Sequence, residues 1–96
     1  MPMVCQSVFQ VDSVEGISWQ KAVLIAQEAA YFPGEIRFRY GMRCADAHSA
    51  EELVALEVPP KAWVCVESDR FDAAYIIERI RRIATGSAHV AVSLVA

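Results

Sequence analysis

Three cysteines are too few and too scattered to organise this chain. Cys5, Cys44 and Cys65 form no Cys-x-x-Cys pair and no cluster with histidine. That spacing argues against zinc, and the odd count fits thiols packed into a core in a reducing compartment. Histidine is scarcer still, and His48 and His89 belong to no recognisable catalytic triad or metal set. No apolar run reaches the roughly 18 residues of a membrane span. The start of the chain, Met1 to Gln6, lacks the basic region and apolar segment of a secretion signal, which leaves the cytoplasm as the expected location. Basic residues are outnumbered, 9 against 12 acidic, for a formal net charge of −3. This argues against nonspecific nucleic-acid binding, despite a cluster at Arg79, Arg81 and Arg82. Internal repeats and low-complexity linkers are absent too.

What remains is 96 residues with 55% apolar content, enough for one compact domain with a single well-filled core. Its organising stretch runs from Gly16 to Tyr31. A glycine, the capping residue Ser18 and about three turns of good helix formers predict a loop delivering Ser18 to a helix N-terminus. Unpaired backbone N–H groups and the positive end of the helix dipole converge there, and Lys21 in the first turn would add charge, so the site suits a weakly held anion. On the helix, Trp19, Ala22, Val23, Ala26, Ala29 and Ala30 share the face expected to meet the core. Gln20, Lys21, Gln27 and Glu28 lie opposite, with Leu24 and Tyr31 as apolar exceptions on that polar side.

Before this helix, Val4 to Val11 reads as a strand broken by Asp12 to Gly16; after it, Pro33-Gly34 turns the chain. Glu35 to Tyr40 alternates polar and apolar without a fault, and Gly41-Met42 leads tightly into Arg43 to Ala47, the second arm of a hairpin at a sheet edge. Ser49-Ala50-Glu51-Glu52 is a capping box, with Glu52 expected to bond back to Ser49, opening a short helix through Leu56 that Val58-Pro59-Pro60 stops. Lys61 to Glu67 suits a central strand. Ser68 or Asp69 is expected to cap the last helix, whose stripe is Ala73, Ile76, Ile77, Ile80 and Ile83 and which Gly86 ends. Such an order is solved by an α+β fold, a largely antiparallel sheet covered on one face by helices.

From about Val4 to Ala84 the chain resembles HPr, the histidine-containing phosphocarrier of the bacterial sugar phosphotransferase system. The likeness lies in Gly16-Ile17-Ser18 opening the first helix, Ala22, Glu28-Ala29 and Phe32 along and after it, Glu35-Ile36 starting the next strand, and Ala47-His48-Ser49 followed by Leu53 and Leu56. It implies an open-faced sandwich, a four-stranded antiparallel sheet covered by three helices over residues 1–86, with an extra C-terminal strand in a 87–96 extension. It also implies a carrier or regulator rather than an enzyme, with no cofactor and no metal. In the family the loop reads Gly-Leu-His-x-Arg-Pro, the histidine carrying phosphate and the arginine assisting. Here Gly16 is kept, Ser18 replaces the histidine, Gln20 the arginine and Lys21 the proline. A hydroxyl needs a base and forms a stable ester, whereas imidazole is nucleophilic at neutral pH, so the resemblance implies a degenerate phosphocarrier loop.

The implied role is therefore a non-phosphocarrier binding or regulatory module with an unknown protein partner. The family docks partners on the first and short helices, where Gln27, Ala30 and Ala50-Glu51 here weaken attraction to an acidic surface. Ser49 matches the serine that a kinase phosphorylates in Gram-positive members. A regulator phosphorylated on Ser49 or Ser18 is the alternative reading, while the favoured explanation of each serine is a helix cap. The segment His89 to Val95, apolar on both faces, must bury that surface somewhere, and the sheet offers two open edges. It can add to its own sheet or cross to a second copy, and a two-fold homodimer by strand addition is the favoured arrangement.

Overall fold

Alternating β-branched and aromatic residues draw three segments into strands, a tight turn pairs a fourth, Arg43–Asp46, with the strand before it, and the apolar-periodic segments between them become helices. A computed structural model describes residues 4–12 and 14–86. In chain order it places β1 (Cys5–Gln10), α1 (Trp19–Ala29), β2 (Ile36–Tyr40), β3 (Arg43–Asp46), α2 (Ala50–Ala55), β4 (Trp63–Ser68) and α3 (Ala74–Thr85), the last entered through a 3-10 turn over Phe71–Ala73. The strands form one antiparallel sheet in the order β1-β4-β2-β3. As the sequence predicts, β4 is central and the β2–β3 hairpin reaches an edge. Its two-residue turn needs the left-handed conformation at Gly41, where φ is +60°. The expected C-terminal strand and the 87–96 extension lie outside the described residues.

The helices cover one face of the sheet. Phe9, Ile36, Phe38, Val64 and Val66 point into the core from the strands and meet Ile25, Leu53, Ile76 and Ile80 from the helices. Phe9 and Phe38 pack edge to face at 6.4 Å. The other face is open, and Val8 and Trp63 stand exposed on it beside half-buried Cys65.

Several local expectations are corrected. The buried face of α1 is Lys21, Ala22, Ile25 and Ala29, while Trp19 and Ala30 are exposed and Val23 and Ala26 only partly covered. Lys21 turns inward because its aliphatic stem packs while its ammonium finds a carboxylate, a behaviour that polarity alone does not signal. Leu24 and Tyr31 are exposed, as their place on the polar side requires. Neither Ser68 nor Asp69 caps the last helix: Ser68 is fully buried, its hydroxyl accepts from the Arg70 N–H, and α3 has Ala73 at its N-cap and no side-chain cap. The short helix ends where Glu57 turns left-handed at φ +54°, before the prolines. The thiols are not core residues either. Cys44 is exposed, and Cys65 lies with it on the open face; Cys5 only borders the core.

The loop before α1 is fixed by close contact. Ile17 N–H donates to the Val58 carbonyl at 3.1 Å, and a Cβ placed on Gly16 would lie 1.7 Å from that same oxygen and 2.7 Å from the Pro59 carbonyl carbon. Both obstacles are backbone, so nothing small can move aside. Gly16→Ala should cost about 3 kcal/mol or more, read as a lowered urea midpoint against wild type.

Candidate functional site

Ser18 sits at the N-cap of α1 in extended conformation, its hydroxyl oxygen accepting from the Lys21 N–H at 3.3 Å and its carbonyl from the Ala22 N–H at 2.9 Å. The hydroxyl is therefore engaged as a cap acceptor. Gln20 is exposed on the first turn. Lys21 does not aim its charge at the helix start as expected. Its ammonium donates to Asp12 Oδ2 at 3.1 Å, with the lysine side chain 11% and the aspartate side chain 24% exposed. The Val14 N–H donates to the other Asp12 oxygen at 2.7 Å. That bond first, then the Lys21 hydrogen bond, holds the Asp12 carboxyl below the usual carboxylate range against the opposing effect of burial. The cation expected to support an anion is thus already paired with a carboxylate.

Beside this terminus a groove opens between α1 and α3, a cavity of about 760 Å³. Carboxylates of Asp12 and Glu15 stand at its end with Gln20 and Lys21, and Trp19, Leu24 and Ile83 supply apolar walls. No histidine or arginine lines it. Further along, Arg79 grips Glu28 with two hydrogen bonds of 2.9 and 3.0 Å, tying the two helices and lowering the Glu28 carboxyl. Arg81 and Arg82 both pair with Glu78, so the arginine cluster seen in the sequence is paired with two carboxylates, Glu28 and Glu78, one fewer than its three guanidiniums.

Ser49 belongs to a different place. It caps α2, accepting from the Glu52 N–H at 3.2 Å, but Glu52 does not close the expected box: its carboxylate accepts from the Asp46 N–H at 3.1 Å. The neighbouring His48 is a feature the sequence reading left unassigned. Its Nδ1 lies 2.8 Å from Asp46 Oδ1 and its Nε2 3.3 Å from the Phe32 carbonyl. Two acceptors facing both ring nitrogens are satisfied together only by the imidazolium. Burial pushes the His48 imidazole down, but the bond to Asp46 and that to Phe32 outweigh it, and the net direction is up. For Asp46, burial acts upward and the backbone N–H and ring of His48 act downward more strongly. This pair anchors the start of α2 beyond the C-terminal end of α1, whereas Ser18 sits at the opposite end of that helix. The structure therefore does not unite the two serines in one site.

Asp12 was the other residue that sequence reasoning took only as part of a break. The available signal was Asp-x-Val, an aspartate able to accept from the N–H two residues on. Among the described residues no three metal-ligating side chains converge, and no helix is long and apolar enough to cross a membrane.

The four-stranded order with three helices on one face is the HPr fold, an open-faced sandwich. The chain is similar to the phosphocarrier protein HPr from Bacillus anthracis strain Ames, with TM-score 0.77 and 23% identity over 88% of this chain and 99% of that one. A mycoplasma histidine-containing phosphocarrier protein gives TM-score 0.78 at 18% identity, covering 88% and 96%, and HPr-C-His from Thermoanaerobacter tengcongensis 0.73 at 17%, covering 88% and 93%. At these identities the likeness is one of fold. No family model and no curated protein matches the sequence.

Two measurements follow. Ser18→Ala should cost about 1 kcal/mol and Ser18→Asn close to nothing, since asparagine caps as well as serine; chemical denaturation of the two variants reads the difference. The His48 proton is held more tightly in the folded state, so its stabilisation is complete below the unfolded value of about 6.5 and is lost as pH rises through the raised folded value. His48→Gln should therefore lose about 0.5 kcal/mol more at pH 5.5 than at pH 8.5, measured as the pH dependence of the denaturation midpoint.

Proposed function

We propose that this chain is an HPr-like binding or regulatory module that does not carry phosphate as a phosphocarrier, and that its partner is a protein. The observation carrying this reading is Ser18, engaged as the α1 cap at the position where the HPr resemblance calls for a phosphate-carrying histidine. Phosphoryl transfer through a carrier needs a nucleophile active at neutral pH and a bond labile enough to pass the group on. A serine hydroxyl without an adjacent base supplies neither. Gln20 brings no charge to steady a phosphoryl group, and the ammonium of Lys21 is committed to Asp12.

Serine phosphorylation by a kinase is the competing reading. At Ser49 a phosphate would face Glu51 and Glu52 in the first turn of α2, which opposes it electrostatically. In a reconstituted relay driven by phosphoenolpyruvate, the protein should acquire no acid-labile, base-stable phosphate, and Ser18→His alone should restore little. Labelling of the unaltered chain with that stability pattern would overturn the proposal. Intact-mass measurement on protein from its native host should show no stoichiometric phosphate; a single full addition would favour the kinase reading instead.

A further inference from the structure

On the face of the sheet that the helices leave open, Trp63, Cys65 and Glu67 follow one another at alternate positions of the central strand β4. Val8 of β1 and Arg39 of β2 both lie opposite Cys65 in the register. Between these side chains is a hollow of about 230 Å³, lined by Val8, Trp63, Cys65 and Arg39 and bounded by the Gly41 turn. Trp63 is 62% exposed and Val8 60%, so both present apolar surface to it. A Cβ placed on Gly41 would meet nothing within 4 Å, and the hollow is open at that end.

Arg39 is the charged residue of this lining. Its Nη1 donates to Glu67 Oε1 in a single long bond of 3.3 Å, with the arginine side chain 50% exposed and the glutamate side chain 7%. One arm is thus anchored on a buried carboxylate, while Nε and Nη2 meet no acceptor among the described residues. Arg70 and Arg79, by contrast, each spend both arms on one carboxylate. A guanidinium anchored at one nitrogen keeps a planar pair of donors for a carboxylate or a phosphate. Burial, then the charge of Glu67, pushes the Cys65 thiol up, so it stays neutral and does not repel an anion. Trp63 and Arg39 are diagonal neighbours across β4 and β2, about 7–8 Å apart along the backbone and within reach of one ligand.

We propose that this hollow binds a small aromatic anion, its ring stacked on the Trp63 indole beside Val8 and its carboxylate or phosphate held by Arg39 Nε and Nη2. Drug-sized ligands occupy about 300–1,000 Å³, so the smaller space here selects one ring system with a short acidic arm. A nucleic-acid strand is a poor occupant, since it asks for a cation at each phosphate and the lining supplies one, in a chain of net charge −3. The hollow lies across the sheet from the helices and is independent of the role proposed above.

Four probes on the full-length chain test this. Phenyl phosphate and benzoate carry ring and charge, benzyl alcohol the ring alone, and inorganic phosphate the charge alone. Both aromatic anions should shift the amides of Arg39, Gly41, Trp63 and Cys65 saturably, and at least tenfold more tightly than either of the other two. With Trp19→Phe leaving Trp63 as the one indole, they should change its fluorescence over the same concentrations. Trp63→Leu removes the stacking surface, and Arg39→Lys keeps a cation for Glu67 but loses the fork; each should weaken phenyl phosphate at least fivefold. Equal affinity for benzyl alcohol would overturn the proposal by showing a hollow indifferent to charge, and equal affinity for inorganic phosphate by showing a bare cation. Shifts confined to Ser18, Gln20 and Lys21 would overturn it in favour of the α1 terminus, and an absence of saturable shifts at tens of millimolar would overturn it outright. Should a variant fail to fold, the ranking of the four probes on the unaltered chain still decides.

Discussion

Asp12 holds together four parts of the chain that sequence order keeps apart. Its N–H donates to the Ala84 carbonyl at the end of α3, its carbonyl accepts from Lys61 at the entry to β4, and its carboxylate takes both the Val14 N–H and the Lys21 ammonium. Through these bonds the end of β1 with the loop that follows it, the entry to β4, the first turn of α1 and the exit of α3 share one fixed point. The ion pair is half sheltered from water, where a carboxylate with two donors and a nearby cation is well satisfied and an unpaired ammonium would be costly. Gly86 ends α3 in the left-handed conformation that favours glycine, with the Asp12 carboxylate close beside it.

In the reading proposed here, the same fixed point explains why an HPr-like scaffold can persist without phosphocarrier chemistry at its helix terminus. Ser18 contributes to the fold as a cap, Gly16 as a close contact with Val58, and Lys21 as a partner of Asp12. Of Gly16, Ser18, Gln20 and Lys21, every residue except Gln20 thus has a structural task. In the reading proposed here, a loop relieved of catalysis is kept in shape by packing and hydrogen bonds alone.

Much of the architecture was legible in the sequence because it rests on local signals. The unbroken alternation of Glu35 to Tyr40, the Gly41-Met42 turn, the caps at Ser18 and Ser49 and the glycine stop at Gly86 each act over a few residues, and each is found where the pattern puts it. What was hidden depends on partners distant in the chain. The inward turn of Lys21 is decided by Asp12, the burial of Ser68 by the strands flanking it, and the commitment of Glu52 by the Asp46 N–H rather than by its own cap. His48 looked like a stray histidine until the turn carried it between Asp46 and the Phe32 carbonyl. The thiols misled for a related reason: alternation tells which residues share a face, but only the helices decide which face is covered.

Those thiols carry a consequence of their own. Cys44 and Cys65 stand on the open face, opposite the same residue, Arg39, on the strand between them. Two strand spacings separate them by about 10 Å, beyond the roughly 7 Å that a disulfide can bridge without moving backbone. Cys5 belongs to the helix-covered side and can reach neither. No pair within one folded chain can therefore close, so a disulfide between two protein cysteines would need a second molecule. Oxidation would join copies through their open faces, and the sheet, not the helices, would become the adhesive side of the protein.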